Sequence, residues 1–230
     1  MKTIKAFLYS LFILAYLVTL LIACKKDSPG SGNELGGDTN LAENAVGSTS
    51  TLTMNQSGVS SSPSTQMKVV GNASGIVSVE FSVPLSASQL SAIDNIGNAL
   101  YGEDYRNNKA TLIDQNGKLK GTYKFKNSSE GVAIVNSAGK QCVIMNYGAN
   151  VGDKWTYTKE NGTVATFTVT KKSTTDDYDY AFFKIKIVQV ERISNEPGIS
   201  KIVYIGNHKF GLVGIEMHLG DGSVIKSTRI

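Results

Sequence analysis

The chain has 230 residues, long enough for one sizeable domain, with 41% hydrophobic and 18% charged residues and a formal charge of +4. That balance suits a globular core. No cluster of Lys and Arg is interleaved with aromatics, which excludes a nucleic-acid footprint.

The first element is a targeting segment. Lys2 and Lys5 precede an apolar run over residues 6–23, and the run stops on Leu21-Ile22-Ala23-Cys24. A small residue followed by a cysteine at this place resembles the lipobox of bacterial lipoproteins. The resemblance implies diacylglycerol on the Cys24 thiol, cleavage before Cys24 and acylation of the new amino terminus with palmitate-type chains. Two or three such chains hold a protein durably on a bilayer, where one does not. An uncleaved membrane-spanning anchor is the alternative reading of the same run. Loss of residues 1–23, which hold two lysines and no acid, lowers the formal charge from +4 to +2. Cys24-Lys25-Lys26-Asp27 is similar to the start of many lipoproteins of the Bacteroidota. It lacks the aspartate after the cysteine that marks inner-membrane retention in enteric lipoproteins. The implied place is the cell envelope, at the outer membrane, facing the periplasm or the cell surface.

Residues 24–66 are rich in Ser, Gly, Asn and Thr and read as a flexible tether, because they offer too little apolar surface to offset ordering. Within them residues 48–57 alternate weakly, enough for one edge strand or none. Residues 67–230 read as the folded domain, and its period is two. Val77, Val79, Phe81 and Val83 alternate with polar residues, as do Leu119, Gly121, Tyr123 and Phe125, and Ala165, Phe167 and Val169. Asn116-Gly117, Asn161-Gly162 and Asp221-Gly222 stand between such runs and suit tight hairpin turns. The expected fold is all-β: an antiparallel meander of roughly ten strands, closed as a lipocalin-like barrel or a sandwich. One short amphipathic helix is expected over residues 86–100, from Leu90, Ile93, Ile96 and Leu100.

The candidate residues for chemistry are few. His218 and Glu216 share a strand face opposite Val213, Ile215, Met217 and Leu219, which reads as a solvent-facing pair or half a metal site. His208 reads as a loop residue. Asp176, Asp177 and Asp179 form the densest acidic stretch, which reads as a solvated loop more readily than a calcium site. No Gly-x-Ser-x-Gly elbow, Ser-x-x-Lys, His-Glu-x-x-His or phosphate loop is present. No catalytic residue, cofactor or resident metal is therefore expected. Cys142, in an apolar run, reads as a buried hydrophobe.

Aromatic residues supply the binding candidates. Trp155 and Tyr157 share one face of a strand after Gly152-Asp153, a pattern that resembles a Gly-x-x-Trp-x-Tyr strand of β-rich bacterial lipoproteins. The lone tryptophan reads as a core plug more readily than as a ligand platform. Tyr178 and Tyr180 flank the acidic stretch and suit stacking on a sugar or a partner surface. The sequence thus points to an anchored binding module for an apolar molecule, a glycan or an envelope partner. A structural or assembly subunit and a hydrolase are the competing classes. An apolar cavity lined by Trp155, Tyr123 and Phe167 is the feature expected of the first.

Overall fold

The computed structural model describes residues 34–56, 64–84, 90, 94, 106, 109–110, 113–136, 139–158, 164–195 and 199–230. The lipobox with Cys24, the Asn161-Gly162 turn and most of residues 86–100 lie outside the described residues. Of the expected helix, Leu90 and Asp94 are described and both are helical. Arg106, Lys109 and Ala110 are helical as well, beyond the expected limit, and Lys109 pairs with Asp94 at 2.7 Å.

The strands fall into two antiparallel meanders. The first comprises β1 (Thr49–Gln56), β2 (Ser64–Ala73), β3 (Ile76–Pro84), β4 (Lys118–Ser128), β5 (Gly131–Val135) and β6 (Gln141–Asn146). The second comprises β7 (Lys154–Thr158), β8 (Val164–Lys172), β11 (Val188–Ser194), β12 (Ile199–Asn207), β13 (Gly211–Leu219) and β14 (Val224–Arg229). Between β8 and β11 a small hairpin, β9 (Tyr178–Tyr180) and β10 (Phe183–Ile185), forms a sheet of its own. The first and last large strands pair, Leu52 opposite Arg229, and join the meanders into one twelve-stranded sheet running from β6 through β1 and β14 to β7.

Strand twist curls this sheet until its two edges meet. No ladder joins β6 to β7 among the described residues. A side chain does so instead: the Trp155 indole N–H donates to the Val143 carbonyl at 2.8 Å. The Lys140 ammonium also lies 5.4 Å from the Tyr157 ring centre. The result is a nearly closed barrel, the all-β fold read from the alternation. Val77, Phe81 and Val83 are buried on β3, and Ala165, Phe167 and Val169 on β8, with polar neighbours outside. Asn116-Gly117 and Asp221-Gly222 are turns, with positive φ at both glycines (70° and 83°).

Two expectations are corrected. Folded structure begins well before Met67. Leu35 is buried against Ala133 and Val143, and its N–H donates to the Gln141 side chain at 3.0 Å. A short 3₁₀ turn, Ala42–Asn44, follows. β1 is then an interior strand with neighbours on both sides rather than an edge. This segment is held by hydrogen bonds and ladder pairing more than by apolar burial, so a hydropathy reading passes over it. Val213 also leaves its expected face. The β12–β13 register shifts between Ile205 and Gly206, and Val213 packs outside the barrel with Val203 and Ile205 beneath the β9–β10 hairpin. Ile215, Met217 and Leu219 stay inside.

Candidate functional site

The barrel interior is filled at one side. Phe167 stacks between Trp155 (5.6 Å, 3°) and Tyr204 (6.3 Å, 26°), and Ile144, Met145, Val169, Val190 and Tyr157 pack around them. Trp155 and Tyr157 therefore share a face, as the sequence indicates, and that face is core. Tyr157 is 4% exposed, and the indole of Trp155 is held to the opposite edge strand. Cys142 lies in the same core. Burial pushes the Tyr204 phenol up, with Arg192 opposing it.

The other side is hollow. β1 to β4 face β13 and β14 across a cavity of about 160 Å³. Its walls are apolar: Leu52, Met67, Val69, Val77, Val79, Tyr123, Phe125, Val132, Leu212 and Ile215. The space exists because facing positions carry small side chains, Ser48 and Ser50 before and on β1 and Ser227 on β14. Of the three residues expected to line an apolar cavity, Tyr123 does. Trp155 and Phe167 fill the opposite half. Burial pushes the Tyr123 phenol far above its ordinary value, so it stays neutral.

One pole of the cavity is polar, and consecutive residues of the 3₁₀ turn build it. The Glu43 carboxylate accepts from the Arg229 guanidinium. Asn44, 2% exposed, donates to the carbonyls of Thr39 and Asn127, each at 2.8 Å, and accepts from the Asn127 amide at 3.2 Å. Glu43, Asn44, Asn127 and Arg229 all line the cavity. Two of their atoms, Asn127 Oδ1 and Arg229 Nε, are buried with no hydrogen-bond partner. None of these four residues was singled out from the sequence. The signal was present in two of them. Asn127 continues the inward run Leu119, Gly121, Tyr123, Phe125, and Arg229 continues Ile225 and Ser227. A polar residue on the apolar parity of a strand marks the site.

The remaining candidates lie elsewhere. Tyr178 and Tyr180 sit on the β9–β10 hairpin outside the barrel, so the four aromatic candidates form two separate groups. Tyr180 is buried against Phe210 and Phe183. The Tyr178 hydroxyl lies 3.2 Å from the place where a Cβ on Gly214 would stand. At the hairpin tip Phe182 is fully exposed. Asp177 accepts from Lys171 and Ser173, and Asp179 pairs with Lys184 at 3.0 Å. Glu216 is shared between Lys226 (2.8 Å) and His218 (3.5 Å) on the outer face of β13 and β14. His208 is exposed at the β12–β13 turn. Among the described residues no cluster of His, Cys, Asp and Glu has the arrangement of a metal site.

No protein-family model matches the chain, and no curated protein matches it in sequence. Solved structures show distant likeness. One is a Bacteroides fragilis chain described as an exported protein with a YmcC-like fold, with TM-score 0.43 and 10% identity, covering 81% of this chain and 95% of that one. A second is a chain from Parabacteroides distasonis described as a lipoprotein, with TM-score 0.38 and 7% identity, covering 81% and 94%. A third is a Vibrio parahaemolyticus chain described as an outer membrane lipoprotein-sorting protein domain, with TM-score 0.25 and 10% identity, covering 79% and 82%. Likeness at this distance transfers neither ligand nor activity to this chain.

Proposed function

We propose that this chain is a lipid-anchored cell-envelope protein whose hollow half-barrel binds an apolar small molecule. The observation that carries the reading is the cavity itself. It is walled by aliphatic and aromatic side chains and bordered by Glu43, Asn44 and Ser48, within a barrel whose other half is packed solid. The sequence resemblance at Leu21-Ile22-Ala23-Cys24 supports the anchor and a position at the outer membrane, toward the periplasm or the surface.

Toluene, titrated into the folded domain and followed through methyl resonances, tests the binding reading. Saturable shifts are expected at Leu52, Val69, Val79 and Leu212, with Val190 in the packed half unmoved. Val79→Phe, which fills the space, should abolish them. Shifts that rise linearly over all methyls, or survive Val79→Phe, would refute it. For the anchor, Cys24→Ala should abolish incorporation of labelled palmitate and the cleavage before residue 24; unchanged labelling refutes it.

The second reading, docking to an envelope protein, is favoured by one observation. Phe182 is presented to solvent on a hairpin whose tip residue Ala181 holds a positive φ of 51°.

A further inference from the structure

The cavity carries information about the head of its ligand as well as its body. We infer that the molecule it takes has a small apolar body of roughly benzene size and one neutral group that both donates and accepts a hydrogen bond, of which a hydroxyl is the smallest. The inference rests on the proposed binding role of the cavity.

Size comes first. A volume of about 160 Å³ is close to that of the engineered apolar cavity, about 150 Å³, that takes benzene. The head follows from what is left unsatisfied at the polar pole. Arg229 Nε is a donor without an acceptor, and Asn127 Oδ1 is an acceptor without a donor. Buried polar atoms in that condition are rare in folded chains, and a pair of opposite kinds on two residues that line one cavity is what a hydroxyl satisfies. Its oxygen accepts from Nε–H, and its hydrogen is donated to Oδ1.

Charge decides between a hydroxyl and a carboxylate. The guanidinium is already neutralised by Glu43, and both groups line the same cavity. A carboxylate would lose its hydration and meet the Glu43 charge, with no free cation in exchange. The two pairings are fixed by adjacent residues of one 3₁₀ turn, Glu43 on Arg229 and Asn44 on Asn127, so the pole is preset before any ligand enters.

The test compares toluene, benzyl alcohol and benzoate on the wild-type domain. The readouts are the methyl shifts and the Nε–H resonance of Arg229. Benzyl alcohol should bind and move the Arg229 Nε–H resonance, toluene should bind without moving it, and benzoate should bind at least tenfold more weakly than benzyl alcohol. Asn127→Leu should lower the ratio of toluene to benzyl-alcohol dissociation constants about tenfold, the worth of one or two hydrogen bonds. Two outcomes overturn the inference while leaving the cavity reading standing. In one, toluene and benzyl alcohol both bind but Nε–H is silent to each. In the other, benzoate binds as well as the alcohol. If none of the three binds saturably, the cavity reading falls and this inference with it. Should Asn127→Leu fail to fold, the wild-type Nε–H shift alone decides.

Discussion

Phe167, Trp155, Tyr204, Ile144 and Met145 crowd one half of the barrel interior. Across the same sheet Ser48, Ser50 and Ser227 leave room beside Leu52, Val79 and Leu212. Pairing is antiparallel throughout, and the break in the ladder among the described residues, between β6 and β7, lies in the packed half, so backbone pairing does not explain the difference. Side-chain volume at inward positions does. The packed half holds the strands in place, and the hollow half is left free of that duty. A protein that needs both a rigid wall and an unfilled space builds each of them from strands of both meanders.

Truncation is the strongest way to break this comparison. Phe167→Ala removes a ring with 1% exposure and two stacking partners, and should cost about 3–5 kcal/mol. Val79→Ala, on the cavity wall, should cost under about 1 kcal/mol, because neighbouring atoms are already missing on one side. Denaturant unfolding of both variants decides, and equal losses would mean that the halves are equally packed. Enlargement gives the converse. Val190→Phe, at a fully buried position, should cost about 1–3 kcal/mol, whereas Val79→Phe should change stability by less than about 1 kcal/mol while closing the cavity. A smaller effect probes the seam. Trp155→Phe keeps the stack on Phe167 and loses the bond to Val143. It should cost about 1 kcal/mol and speed hydrogen exchange at β6 and β7 more than at β2 and β3.

The packed half was largely legible in the sequence, and the hollow half was not. Ala165, Phe167 and Val169 alternate with threonines, and their burial follows from that period alone. The Leu119-to-Phe125 run was equally plain, but its continuation to Asn127 leads into a polar pole that only the 3₁₀ turn completes. That turn, with β1, lies in a stretch so poor in apolar residues that it reads as tether. The property that hides it is the one that matters. Ser48 and Ser50, before and on β1, register as absence of core, and absence of core is what the cavity is. Pairing of β1 with β14 joins residues far apart in the chain, and no local pattern announces it. Glu43 on Arg229 is likewise beyond reach of spacing. The four aromatic candidates failed to converge for a related reason. Exposure of a strand face depends on what folds over it, and Trp155 and Tyr178 face opposite sides of the sheet.

Acid titration gives the smallest expected effect and separates turn chemistry from packing. Asp177 is held below its ordinary value of 3.8 first by the hydrogen bond from Lys171 on β8 and then by that from Ser173, with burial acting weakly against them. Asp114 is lowered chiefly by the Lys118 backbone N–H, and Asp221 by the Ser223 hydroxyl and N–H. A carboxyl whose folded value is depressed stabilises the fold fully above its ordinary value. That contribution is lost as pH falls through the folded value. Asp177→Asn should therefore melt slightly below the wild type at pH 6, and the gap should close as pH falls below 3.8 and through the folded value. The gap should be small, because the pair with Lys171 is exposed and screened. A gap that stays constant with pH would mean that the side chain acts through loop geometry rather than charge.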